Sequence, residues 1–218
     1  MHKPIKELKD KFKGREFVVA GTGPHIGTIS NDVMEHLNSE YITIGCNLVF
    51  RRFAPDYLVL GTIPRAVEIA ETELDRLASE LVVTDDVLTR TDAGKQLSEH
   101  RDIYVLLKQL DGHINDGYSW EFENRNEGII INAGSTITAM CIPLALFMGA
   151  RNIFVIGVDG TSDGHFYDTK QISGFPPPYW SEIQTNVLEQ VISEGVGLFN
   201  CNPNNRSTIW PFKDLSAL

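Results

Sequence analysis

Cysteine, basic residues and long apolar runs are all scarce in this chain, and each shortage removes a class of function. The 218 residues include three cysteines, Cys46, Cys141 and Cys201. They are widely spaced, odd in number and without the short pairings of a zinc site, so neither a disulfide scaffold nor bound zinc is expected. Each lies in an apolar stretch, which reads as a buried thiol in a reducing compartment. Lys plus Arg total 19 against 29 Asp plus Glu, a net charge of −10. The one basic concentration runs from Lys3 to Arg15, so no nucleic-acid partner is expected. The longest apolar run, Thr138 to Gly149, falls short of the roughly 20 residues that span a bilayer. Met1-His2-Lys3-Pro4-Ile5-Lys6-Glu7 carries no apolar signal region, and a soluble, cytoplasmic chain is the expectation. A small anionic ligand is not excluded, because backbone amides bind phosphate without help from net charge.

What is present is globular: 42% of residues are apolar and 22% charged. Short β-branched runs recur at Phe17–Ala20, Tyr41–Cys46, Tyr57–Leu60, Leu81–Thr84, Ile103–Leu107, Ile153–Val158 and Leu198–Cys201. Several are apolar on consecutive residues, the pattern of strands covered on both faces. Helical segments are expected at Asn31–Asn38, Pro64–Ser79, Ser135–Met148 and Ser181–Ser193. In Pro64–Ser79, the residues Val67, Ala70, Leu74 and Leu77 are spaced for one buried face, with Glu68, Glu71, Glu73 and Arg76 elsewhere. Asp85-Asp86 reads as a solvated turn. Alternation of strand and helix predicts an α/β fold, a single Rossmann-like domain over residues 1–218. Its sheet is mostly parallel, with helices on both faces. Gly174-Phe175-Pro176-Pro177-Pro178 is too short to divide domains and reads as a rigid loop or part of a lid over residues 160–180. Phe175, Tyr179 and Trp180 beside it are suited to stacking on a sugar or base.

Gly21-Thr22-Gly23-Pro24-His25-Ile26-Gly27 follows the first strand directly. Glycine permits the sharp turn and lets backbone N–H groups approach a phosphate, and a helix start beyond would add a favourable dipole. The third glycine falls one place late for a dinucleotide fingerprint, and the second strand ends in Asn47 where an NAD site would carry an acid. A mononucleotide site therefore fits better than an NAD or FAD site. Asn47 offers a carboxamide suited to a ribose or base edge, and equally suits a strand-end turn. Ser135 and Thr136 open an apolar helix, as nucleotide contacts or as ordinary caps. Asp159 closes a strand at the edge where ligands of open α/β sheets collect, either contacting ribose or fixing its own loop. His25, Lys170 and Arg206 are candidates for phosphate or substrate contact. His165 has an ordinary pKa near ~6.5, suited to acid or base work.

Val18-Val19-Ala20-Gly21-Thr22-Gly23-Pro24, followed by Gly45-Cys46-Asn47, resembles the opening of the bacterial sialyltransferases of glycosyltransferase family 42 and of the related MptE-like proteins. Ser135-Thr136 opening a helix that ends in Met148-Gly149-Ala150, and the strand closing in Gly157-Val158-Asp159, are similar to blocks shared by both groups. His165-Phe166-Tyr167-Asp168-Thr169-Lys170 resembles the sialyltransferase segment ending F-D-T-K, and Asn200-Cys201-Asn202-Pro203-Asn204 resembles its late C-P-N-S strand end. The interval Gln171 to Tyr179, where those enzymes carry a catalytic histidine, has none.

The resemblance implies a transferase that uses a nucleotide-activated sugar, with a CMP-type donor favoured, inverting and without a metal. Its partners would be that nucleotide-sugar and a glycan or small-molecule acceptor, with assembly into homo-oligomers left open. Gly21, Thr22, Gly23, Asn47, Ser135, Thr136 and Asp159 would hold the nucleotide; His165 and Tyr167 would serve the chemistry. Two alternatives stand beside it. One is an MptE-like pyrophosphokinase or other nucleotide phosphoryl transferase using ATP and Mg²⁺. The other is a catalytically inert nucleotide-binding protein.

Overall fold

A computed structural model describes residues 2–108, 130–131, 135–168, 170, 180–203, 205 and 209–218. Phe175, Tyr179 and Arg206, singled out in the sequence, lie outside them, as does the side chain of Trp180. The strands are β1 (His2–Lys3), β2 (Glu16–Ala20), β3 (Ile42–Cys46), β4 (Tyr57–Leu60), β5 (Glu80–Thr84), β6 (Ile103–Lys108), β7 (Ile130–Ile131), β8 (Asn152–Ile156) and β9 (Gly197–Asn200). They form one sheet in the order β1-β6-β5-β4-β3-β2-β8-β9, with β7 also on β6. Every pairing between these strands is parallel. The seven expected strands all form; β1 and β7, of two residues each, are too short to leave a sequence pattern.

The helices are α1 (Asn31–Glu40), α2 (Ile63–Thr72), α3 (Asp85–Arg90), α4 (Asp92–His100), α5 (Ile142–Phe147) and α6 (Trp180–Ser193). Alternation along each strand divides the interior in two. Phe17, Val19, Ile44, Val59 and Val155 face Leu144, Ile183 and Val187 of α5 and α6. Val18, Leu58, Leu81, Val83 and Ile156 face Leu37, Ile69, Val87 and Leu97 of α1 to α4. Strands with two buried faces need apolar side chains at nearly every position, and this is why their sequences run apolar instead of alternating. The result is an α/β, Rossmann-like architecture.

Three local expectations are corrected. The helix read over Pro64–Ser79 ends at Thr72, and its buried face is Ala66 and Ile69, one position away from Val67 and Ala70. Glu73, placed outside by the apolar spacing, is 6% exposed. Its carboxylate accepts from Arg51 Nε at 2.8 Å and Arg76 Nη1 at 2.8 Å, so paired charge competes successfully for an interior position. Asp85-Asp86 is not a solvated turn. It opens α3, where an acid meets the positive end of the helix, and Asp86 is buried with the Thr84 hydroxyl donating to it.

The helices α3 and α4 were not legible. Gly94 interrupts the apolar pattern of α4, yet a Cβ there would run into the backbone of Val87 and Leu88, so close helix contact requires the glycine. The segment read as one helix from Ser135 is a widened π turn over Ile137–Cys141 followed by α5. Pro143 sits in the first turn of α5 and cannot donate to the carbonyl four residues earlier; the wider turn accommodates that gap.

Candidate functional site

Chain order in the sheet reverses direction at β2. The chain runs outward from β2 through β3, β4, β5 and β6, then returns to place β8 and β9 on the other side. Loops leaving β2 and β8 therefore part to opposite faces and open a crevice at the carboxyl edge, where ligands of open α/β folds bind. A cavity of about 310 Å³ occupies this place. The Gly21-Thr22-Gly23 turn, Asn47, Ser135, Thr136, Asp159 and His165 all line it. A larger cavity of about 410 Å³, lined by Lys9, Lys13, Gly149 and Gly195 among others, lies at the opposite edge, among the connections entering β2, β8 and β9. The first of the two sits where the topology gathers functional groups.

Glycines let the two loops approach. Gly157 has φ +63°, the left-handed region, and a Cβ at Gly21 would strike its carbonyl. A Cβ at Gly23 would overlap the Asp159 carboxylate. The carboxylate is held by the backbone N–H of His25 at 3.1 Å and by Asn202 Nδ2 at 2.9 Å, both on Oδ1. It thus ties together the loops after β2, β8 and β9, as the structural alternative for Asp159 requires. Its Oδ2 is buried without a partner among the described residues. Desolvation raises the Asp159 pKa, against the lowering effect of the bonds from His25 and Asn202.

Asn47 leaves β3 with φ +51°, a conformation that Asn tolerates better than most side chains. Its Oδ1 is also buried and has no partner among the described residues. The turn and the ligand role are compatible here, since the tight turn presents the carboxamide at the cavity wall. Ser135 caps the helical turn, accepting from Thr138 N at 3.2 Å, while remaining part of that wall with Thr136.

The segment His165-Phe166-Tyr167-Asp168 forms a tight turn, closed by His165 N donating to Asp168 O at 2.7 Å. Thr22 grips it twice. Its carbonyl accepts from Phe166 N at 3.0 Å, and its hydroxyl meets His165 Nδ1 at 2.9 Å. With Nδ1 occupied, Nε2 is the imidazole nitrogen left for other partners. Burial first, and then the Arg65 charge, lowers the His165 pKa and favours the neutral ring. Burial likewise lowers that of His25, against the raising effect of the Asp159 charge.

Tyr167 does not line the cavity. Its ring stacks behind His165, with centroids 5.0 Å apart and planes at 14°. His25 lies beside Asp159 and Lys170 is exposed; neither lines the cavity. Thr62, Thr161 and Cys46 also line it, though none of them was among the candidate site residues read from the sequence. The position of Gly61-Thr62 directly after β4, at the same sheet edge, was the available signal for Thr62.

The fold is shared with a glycosyltransferase. The solved structure of the MAf glycosyltransferase from Magnetospirillum magneticum AMB-1 superposes with a TM-score of 0.59 at 13% sequence identity. The match covers 99% of this chain and 38% of that one, so the chain spans well under half the length of this structural neighbour. No family model matches the sequence, and no curated protein does. At this identity the likeness establishes the architecture.

Among the described residues, no three His, Cys, Asp or Glu side chains converge to hold a metal ion. No helix among them is long and apolar enough to cross a membrane. The three cysteines are buried and free.

Proposed function

We propose that this chain is a nucleotide-sugar-dependent glycosyltransferase unit that takes a CMP-type donor, inverts at the transferred carbon and needs no metal. The observation that carries this is the cavity at the β2–β8 switch point, with the Gly21–Gly23 turn, Asn47, Ser135, Thr136 and Asp159 around one space and His165 on its wall. The shared fold of the MAf glycosyltransferase supports it. In this reading the Thr22 amide reaches the donor phosphate; the Gly21 and Gly23 amides, expected to share that task, donate instead to Ile156 O at 2.9 Å and Gly157 O at 2.8 Å. The buried, unpartnered oxygens of Asn47 and Asp159 accept from ribose hydroxyls or a base amino group, since such acceptors are costly to leave unmade.

His165, neutral and anchored through Nδ1, takes the acceptor hydroxyl's proton on Nε2. The acceptor oxygen bonds to the anomeric carbon as the bond from that carbon to the phosphate oxygen breaks, and the nucleotide leaves with the electron pair. The Thr22 amide stabilises the charge growing on that phosphate.

The free Oδ2 of Asp159 favours a second reading, a Mg²⁺-dependent phosphoryl transferase using ATP, because a carboxylate oxygen suits a hard cation. Calorimetry with CMP, UDP, GDP and ATP, with and without EDTA, separates the two. CMP binding that EDTA does not change is expected, together with a His165→Ala variant that binds CMP like the wild type and loses turnover. Binding of ATP alone, and only with Mg²⁺, would replace the first reading by the second. Tight CMP binding with no turnover of any donor would identify an inert binding protein.

A further inference from the structure

Thr22 is buried where the glycine turn meets the His165–Asp168 turn, and it carries three polar groups. Its N–H donates to nothing among the described residues and is the amide assigned above to the donor phosphate. Its carbonyl accepts from Phe166 N at 3.0 Å. Its hydroxyl stands 2.9 Å from His165 Nδ1. A histidine tied to one residue through both its ring and the adjoining backbone has little freedom to turn. The clamp leaves one matter to be decided, the position of the single proton on the neutral ring, because a hydroxyl can give a hydrogen bond or take one.

Two neighbouring groups bear on that choice. The ring of Tyr167 lies against His165, 5.0 Å away at 14°, and its hydroxyl meets the same threonine. Burial raises the Tyr167 pKa, while the Arg65 charge and a bond with the Thr22 side chain lower it, so in that bond the phenol oxygen accepts. Threonine has one hydroxyl hydrogen. Once it is given to Tyr167, the oxygen is left to accept from Nδ1–H. The Thr22 carbonyl acts in the same sense. Burial and then the Arg65 charge lower the His165 pKa, and a bond with the Thr22 backbone and the Asp168 charge raise it. A carbonyl only accepts, so that bond also requires a proton on Nδ1.

We propose that Thr22 is a positioning residue that sets the tautomer of His165: Nδ1–H donates to the Thr22 hydroxyl, that hydroxyl donates to Tyr167, and the Nε2 lone pair is held for a substrate proton. An imidazole side chain in water favours the other tautomer, with its proton on Nε2, so the clamp overrides an intrinsic preference. This deepens the glycosyltransferase reading and rests on it for the use made of Nε2. Tyr167, which does not line the cavity, then acts through Thr22 and not on the substrate. The opposite arrangement, with Thr22 donating to Nδ1, would put the proton on Nε2 and make His165 an acid toward the leaving phosphate.

Nitrogen-15 NMR of the histidine rings in the ligand-free chain, at about pH 8 where they are neutral, reads the tautomer directly. The spectrum of His165→Gln assigns the resonance by its loss, and melting curves establish that each variant is folded. Wild type is expected to show the Nδ1–H form. Thr22→Val should move His165 to the Nε2–H form and lower turnover of CMP-N-acetylneuraminate about tenfold, with CMP affinity within about twofold of wild type. Thr22→Ser, which keeps the hydroxyl, should restore both, and Tyr167→Phe should shift the ring part-way to Nε2–H. An Nε2–H ring in wild type, or an Nδ1–H ring that survives Thr22→Val, overturns the proposal. Failure to bind any nucleotide would remove the glycosyltransferase reading, and the tautomer assignment would still stand or fall on the spectra.

Discussion

At the scale of single residues, Asn47 combines a strand-end turn with a polar group at the cavity wall. Its backbone turns through φ +51° at the end of β3, and its carboxamide oxygen is buried at a cavity wall with no partner among the described residues. Asn47→Ala should weaken binding of the cognate mononucleotide by roughly 1–3 kcal/mol, the cost of leaving a ligand donor unpaired. Titration calorimetry reads this directly, and an unchanged dissociation constant would remove Asn47 from the site. Asp159 differs in kind. One oxygen is spent on His25 N–H and Asn202, so its replacement would disturb three loops as well as any ligand. The residue letters at positions 21, 23, 47, 135, 136, 159 and 165 were enough to single them out. Thr62 and Arg65 were not, because a threonine and an arginine after a strand are common on any surface.

Among the elements, α2 shows where periodicity misleads. Its apolar spacing pointed to Val67 and Ala70, whereas Ala66, Ile69 and the paired Glu73 turn inward. A carboxylate with three bonds from two arginines fills a position that hydrophobicity alone would deny it. Glu73→Ala should destabilise the fold by about 1–3 kcal/mol, a figure held down because Arg51 keeps Glu68 and is partly exposed. Urea unfolding monitored by circular dichroism measures it; a shift within error would show that the buried pair contributes nothing net. The turn His165–Asp168 is the other element of consequence. Thr22 fastens it to the glycine loop by backbone and side chain, so glycine turn and imidazole are positioned as one unit.

For the whole molecule, buried titrating groups give stability a pH dependence whose sign follows from their shifts. Burial lowers the folded-state pKa of both His25 and His165 below the ordinary 6.5. Below that value the unfolded chain takes up protons that the native state refuses, so stability is full above about pH 6.5 and declines as pH falls. Asp159 acts oppositely. Its raised folded pKa means the native state holds a proton the unfolded chain has released, which favours the fold as pH drops toward the ordinary 3.8. The histidine window comes first on acidification. Thermal melts from pH 7.5 to 5.5 should show a falling midpoint, and a His25→Gln, His165→Gln double variant a flatter one. Equal slopes would place the acid sensitivity in other groups.

By itself the sequence determined seven strands of the sheet and, for the central ones, burial on both faces, because runs of β-branched residues admit little else. It also marked out the candidate site residues that share one sheet edge, since a glycine turn after the first strand and polar residues at later strand ends all fall there. Tertiary structure alone decided the strand order that reverses at β2, and with it the crevice between the loops after β2 and β8. It also decided that Glu73 and Asp86 lie inside and that Arg65 stands beside His165. Those outcomes depend on partners 20 to 140 positions away or on hydroxyls and guanidiniums that any surface can hold, and no local pattern of apolar and polar residues encodes them.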